Sequence, residues 1–72
     1  MAKWILVPYN TDGTPAEELL VPNLREARQD ARFLVDYEGY ARVECLYTYR
    51  SRRSGHLRAA TTRKPRFITE AR

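Results

Sequence analysis

The chain has 72 residues, and several of the features that would assign it to a function class are scarce or missing. It has one cysteine, Cys45, so no internal disulfide can form, whereas a secreted domain of this size usually carries several cysteine pairs. A reducing compartment is therefore expected: the cytoplasm, or the cytoplasm of a host cell if the gene belongs to a phage. His56 is the single histidine, and one His with one Cys cannot complete a four-coordinate metal site. The three glycines are isolated and form no phosphate-cradling loop, so no cofactor or metal is expected. Long apolar runs are absent as well. Ile5-Leu6-Val7 is stopped by Pro8 and Asn10, far short of a signal-peptide core or of the roughly 20 residues of a membrane span, and no membrane partner is expected.

Catalytic constellations are equally thin. His56 shares a polar stretch with Ser51 and Ser54, but no nearby acid would orient it as a base. Cys45 falls on the apolar side of an alternating segment, where a thiol behaves as a small hydrophobe. Glu17 and Glu18 are adjacent in sequence, so on a strand they would point to opposite faces and could not act as a pair. These patterns predict a protein that is not an enzyme. At 8.5 kDa the chain also fits one domain, residues 1–72, whose core supplies no more than roughly 3 to 5 kcal/mol of net stability.

Charge is plentiful and unevenly placed. Residues 1–40 carry four basic groups against seven acidic ones, a balance of −3; residues 41–72 carry nine basic against two acidic, a balance of +7. Arg50, Arg52, Arg53, Arg58, Arg63, Lys64 and Arg66 lie within seventeen positions that hold no acidic residue. Such a segment repels itself unless phosphates or carboxylates neutralise it, and guanidinium forks bind both.

Local patterns predict the architecture. Lys3 to Tyr9 reads as a strand, and Asp12-Gly13 supplies the positive φ of a tight reversal into a short return strand at Glu17 to Val21, a hairpin over 3–21. Asn23 with Glu26 three positions on resembles a capping box, and Gly39 is a left-handed cap, so a helix is expected over 24–38. Its stripe of Leu24, Ala27, Ala31, Leu34 and Val35 should cover a sheet. From Tyr40 the period becomes two, with Ala41, Val43, Cys45, Tyr47 and Tyr49 facing the helix and Arg42, Glu44, Leu46, Thr48 and Arg50 facing away. A basic hairpin over 40–64 and a tail over 65–72 complete a ββαββ, α+β fold: an antiparallel sheet with one helix on one face and the other face open to solvent.

Two function classes follow. In the first, a nucleic acid or nucleoprotein surface is engaged by the Arg-rich hairpin, through Arg42, Arg50, Arg52, Arg53, His56, Arg58, Arg63, Lys64 and Arg66. In the second, Trp4, Phe33 and Tyr37 act as apolar anchors on a protein partner, with the cationic half steering the chain to an acidic protein surface. Phe33 and Tyr37 fall opposite Leu24 on the acidic side of the helix, beside Glu26 and Asp30, unless the tail around Phe67 folds over Phe33. A helix with apolar residues on two sides also admits a homodimer. The outline of hairpin, capped helix and strand in so short a chain resembles small phage-encoded proteins that inhibit host machines such as RNA polymerase or CRISPR effector complexes. That resemblance covers architecture and transfers no functional residue.

Overall fold

The computed structural model describes residues 4–61 and 63–71; Lys3, Thr62 and Arg72 lie outside the described residues. The six-residue run Trp4–Tyr9 forms strand β1, with Ile5, Leu6, Val7 and Pro8 all buried. Burial on both faces requires neighbours on both sides. β2 (Leu19–Val21) pairs antiparallel with one edge of β1, and β3 (Arg42–Arg50) pairs antiparallel with the other, Trp4 lying opposite Tyr47 and Tyr9 opposite Arg42. Pro8 is accommodated because it lies opposite Val43 while its carbonyl points to the other edge, where it accepts from the Ala16 amide. The reversal between β1 and β2 is built as its sequence predicts. Gly13 has φ +90°, and Asp12 Oδ1 accepts from both the amide and the hydroxyl of Thr14 at 2.9 and 2.7 Å.

Helix α1 (Leu24–Asp36) begins at Asn23, whose side chain accepts from the Glu26 amide at 2.9 Å. It ends before Gly39, whose φ of +82° lets the chain turn back so that the Tyr40 amide donates to the Leu34 carbonyl. Ala27, Ala31 and Val35 are buried against Leu6, Val21, Val43 and Cys45, with Leu24 and Leu34 at the border. Two alanines at the centre of the contact let the helix axis lie close to the strands.

The last third of the chain departs from expectation. The return strand after the basic loop is broken in two: β4 (Leu57–Ala59) pairs with Thr48–Arg50, and β5 (Phe67–Glu70) pairs with Arg42–Cys45. Both lie on the same edge of β3, since the Tyr47 carbonyl accepts from Ala60 and the Cys45 carbonyl, two residues away, accepts from Arg66. Residues 65–71 therefore add an edge strand to the sheet where a tail was expected. Phe67 packs into the core beneath the helix, with the Arg28 guanidinium 4.6 Å above its ring, and Arg32 reaches the Glu70 carbonyl. The result is an α+β domain with one helix on a curled, antiparallel, five-stranded sheet. The second face is not simply open either. Ile5, Val7 and Leu46 form a buried cluster there, with Tyr9 and Ala59 packed against it, because the sheet curls and brings β4 over that face. Leu46, expected on the solvent side, is 5% exposed.

Candidate nucleic-acid interface

The helix covers only part of β3. Nine residues of strand extend about 30 Å, whereas thirteen residues of helix rise about 20 Å. α1 starts just after Val21, which lies opposite Trp4, and runs back toward the beginning of β3. It touches β1, β2, β3 and β5 but not β4, so the end of β3 and all of β4 project beyond it. This corrects the expectation that Tyr47 and Tyr49 both pack under the helix. Tyr47 is half-buried against Trp4, with ring centroids 5.0 Å apart at 52°, and the Arg63 guanidinium lies 5.2 Å over its ring. Tyr49 is 51% exposed.

The cationic residues lie along this projecting part. The 51–56 loop is closed by two backbone bonds, Ser51 amide to His56 carbonyl and Gly55 amide to Ser51 carbonyl, and Gly55 takes φ +72° to complete the turn. Arg50 donates to the Gly55 carbonyl across the loop, which stiffens it and uses one of five guanidinium donors. Arg52, Arg53 and His56 stand exposed at the tip, and Arg58 is exposed on β4, opposite Tyr49. The excursion after β4 carries Arg63, Lys64 and Arg66, all exposed. Among the described residues the ion pairs are Arg32–Asp36 and Arg42–Glu44, and neither involves a cation from Arg50 to Arg66.

Three sequence-based assignments change. Arg42 sits at the opposite end of β3, about 27 Å of strand from Arg50; its guanidinium lies 4.0 Å over the Tyr9 ring and 3.6 Å from Glu44, so it is not part of the cationic surface. Burial, and then the Glu44 carboxylate, raise the Tyr9 phenol above its ordinary value, and its hydroxyl donates to Glu44. Trp4 is a half-buried core residue and no exposed anchor. The tail does not cover Phe33, because Phe67 occupies the core on the Arg28 side of the helix. Phe33 and Tyr37 remain 51% and 80% exposed, stacked on each other with centroids 5.1 Å apart.

Two residues that the sequence did not assign to a binding site lie beside the cations. Glu18 and Tyr49 line a cleft of about 470 Å³ together with His56, Leu57, Arg58, Ala59 and Thr61. The lengths of β3 and α1 alone would have flagged Tyr49 as overhanging. Glu18 carried no signal, since the curl that brings β4 over to it is a tertiary feature. Cys45, by contrast, is fully buried at the centre of the covered region. Burial pushes its thiol up to about 11 against the weaker opposing pull of Arg28 and Arg66, so it stays protonated and unreactive near neutrality. No protein-family model, curated protein or solved structure matches the chain.

Proposed function

We propose that the chain is a non-enzymatic binding protein whose β3–β4 hairpin and following loop engage nucleic acid, or the nucleic-acid component of a nucleoprotein, chiefly through backbone phosphates. One observation carries this reading: Arg52, Arg53 and Arg58 are exposed on the projecting hairpin beside an exposed Tyr49, and Lys64 and Arg66 are exposed on the loop that follows it, none with a carboxylate partner among the described residues. Guanidinium groups bind phosphate oxygens bidentately, and an exposed ring offers a base a stacking surface. The stiff tip, closed by its own backbone bonds and by Arg50, limits the entropy lost on binding. Arg63, already on Tyr47, presents an ordered guanidinium to the same side.

The test is a salt titration of binding to a fluorescent oligonucleotide. If about five phosphates are contacted, log K falls with log salt with a slope of roughly −4 to −5, and Arg52→Ala, Arg53→Ala and Arg58→Ala together reduce that slope by about three. A triple variant that binds as wild type, with the same slope, refutes the reading.

A second reading has its own observation. The exposed Phe33–Tyr37 stack lies at the far end of the molecule from the hairpin tip, because α1 ends where β3 begins. Two adjoining exposed aromatics fit a docking surface for a protein, in keeping with an inhibitor of a host machine. The two surfaces do not overlap, and a nucleoprotein target would use both.

A further inference from the structure

The part of β3 that the helix leaves uncovered carries a row of flat side chains. Trp4, Tyr47 and Tyr49 share the sheet face on which α1 lies: Trp4 is the register partner of Tyr47, their ring centroids are 5.0 Å apart, and Tyr49 follows Tyr47 by two residues on the same strand. Arg58 is the register partner of Tyr49, so its side chain leaves the same face, with the two Cβ atoms about 5 Å apart. The loop after β4 returns Arg63 to this face, where its guanidinium lies 5.2 Å over the Tyr47 ring. α1 does not touch β4, and Tyr49, Arg58 and Arg63 are all exposed. Two planar groups therefore stand side by side beyond the end of the helix: the Tyr49 ring and the Arg63 guanidinium held over Tyr47.

Their spacing selects one kind of strand. Residues two apart on a β-strand are separated by about 6.8 Å, whereas successive bases along one strand of a duplex are stacked about 3.4 Å apart. A base resting on each group is thus separated from its neighbour by twice the duplex step, which requires a stretched strand with unstacked bases. Bases inside a duplex cannot meet that requirement, because both faces of each are covered by the next pair. We propose that this face binds single-stranded nucleic acid, one base stacking on Tyr49, the adjacent base on the Arg63 guanidinium, and Arg58 holding the phosphate beside Tyr49. This inference rests on the nucleic-acid reading above and narrows it to single strands. Every base has a π face, so the selection is for strandedness and not for sequence. The arginine at position 63 is specific in a way that charge alone does not explain, since its planar fork stacks on bases and on rings and a lysine ammonium does not.

The experiment compares binding of a labelled strand of about ten deoxythymidines with that of a blunt duplex of about ten base pairs, by fluorescence anisotropy at several salt concentrations. A purely electrostatic surface would favour the duplex, whose phosphates are denser. The single strand is instead expected to bind about tenfold tighter. Tyr49→Ala should weaken the single strand about tenfold and the duplex by less than about twofold, with the salt slope unchanged, and Tyr49→Phe should bind as wild type. Arg63→Lys keeps the charge and removes the planar fork, so it should weaken the single strand about fivefold at an unaltered slope. Both positions are exposed, so the variants should keep the wild-type circular dichroism and melting temperature. Equal or tighter binding of the duplex, or a single-strand preference that survives both Tyr49→Ala and Arg63→Lys, overturns the stacking face while leaving phosphate binding intact. Failure to bind either oligonucleotide overturns the nucleic-acid reading itself.

Discussion

The two ends of β3 behave as different materials. Toward Arg42 the strand is flanked by β1 and β5 and roofed by α1, and Val43 and Cys45 are fully buried. Toward Arg50 its strand partner among the described residues is the three-residue β4, with no helix above it and cations around it. The first end gains stability by removing apolar surface from water, and the second keeps its side chains solvated, where surface charges add little to folding. The difference teaches that stability and recognition are separated along one strand. Changes at one end should leave the property of the other end alone.

The strongest way to break that comparison is Leu6→Ala at the covered end. Leu6 is fully buried beneath the helix, and its truncation should cost about 2 to 5 kcal/mol, enough to unfold most of a domain this small. Urea unfolding followed by far-ultraviolet circular dichroism measures it, and a loss below about 1 kcal/mol would mean the core is not where the fold puts it. Phe67→Ala sharpens the role of β5. The ring is only half-buried, so a loss of roughly 1 to 3 kcal/mol is expected by the same measurement, against none if the segment were an unattached tail.

Phe33→Ala with Tyr37→Ala should change stability by no more than about 0.5 kcal/mol per site, since both rings face water. A large drop in melting temperature would place them in the core and remove the protein-docking reading. The smallest expected effect concerns Asp12. The Thr14 hydroxyl first, and the Thr14 amide second, hold its carboxyl below the ordinary 3.8. Its contribution to stability is thus present above the ordinary value and fades as the pH falls through the lowered one. Replacing Thr14 with Val should move the Asp12 midpoint back up in a carboxyl-detected NMR titration, leaving both ends of β3 unchanged.

Local chemistry was legible wherever one residue type enforces a conformation. Asn23 could be assigned as the helix N-cap because its side chain reaches the Glu26 amide, and Gly13 and Gly39 as reversals because both take positive φ. The stripe of Ala27, Ala31 and Val35 follows from helical spacing alone. Phe67 to Glu70 was harder to read. Four residues after Pro65 give too short an alternation to announce a strand, and the segment is held by an edge of β3 that only the fold supplies. The same limit applied to Leu46. Its parity was assigned correctly, away from the helix, but its burial depends on β4 curling over that face.

The amino-acid sequence by itself determined the elements, their order, the apolar stripe of the helix and the gathering of cations in one segment, because each is a property of residues near one another along the chain. The tertiary structure alone decided which cations remain unpaired, which aromatics stay exposed and where a carboxylate meets the basic arm. Arg42 is taken out of the cationic surface by Glu44 and Tyr9, while Tyr49 is left bare by a helix shorter than its strand. Glu18 and Arg58 are forty positions apart in the chain and line the same cleft. The physical reason is that pairing, exposure and concavity depend on distances through space, which the twist and curl of the sheet set.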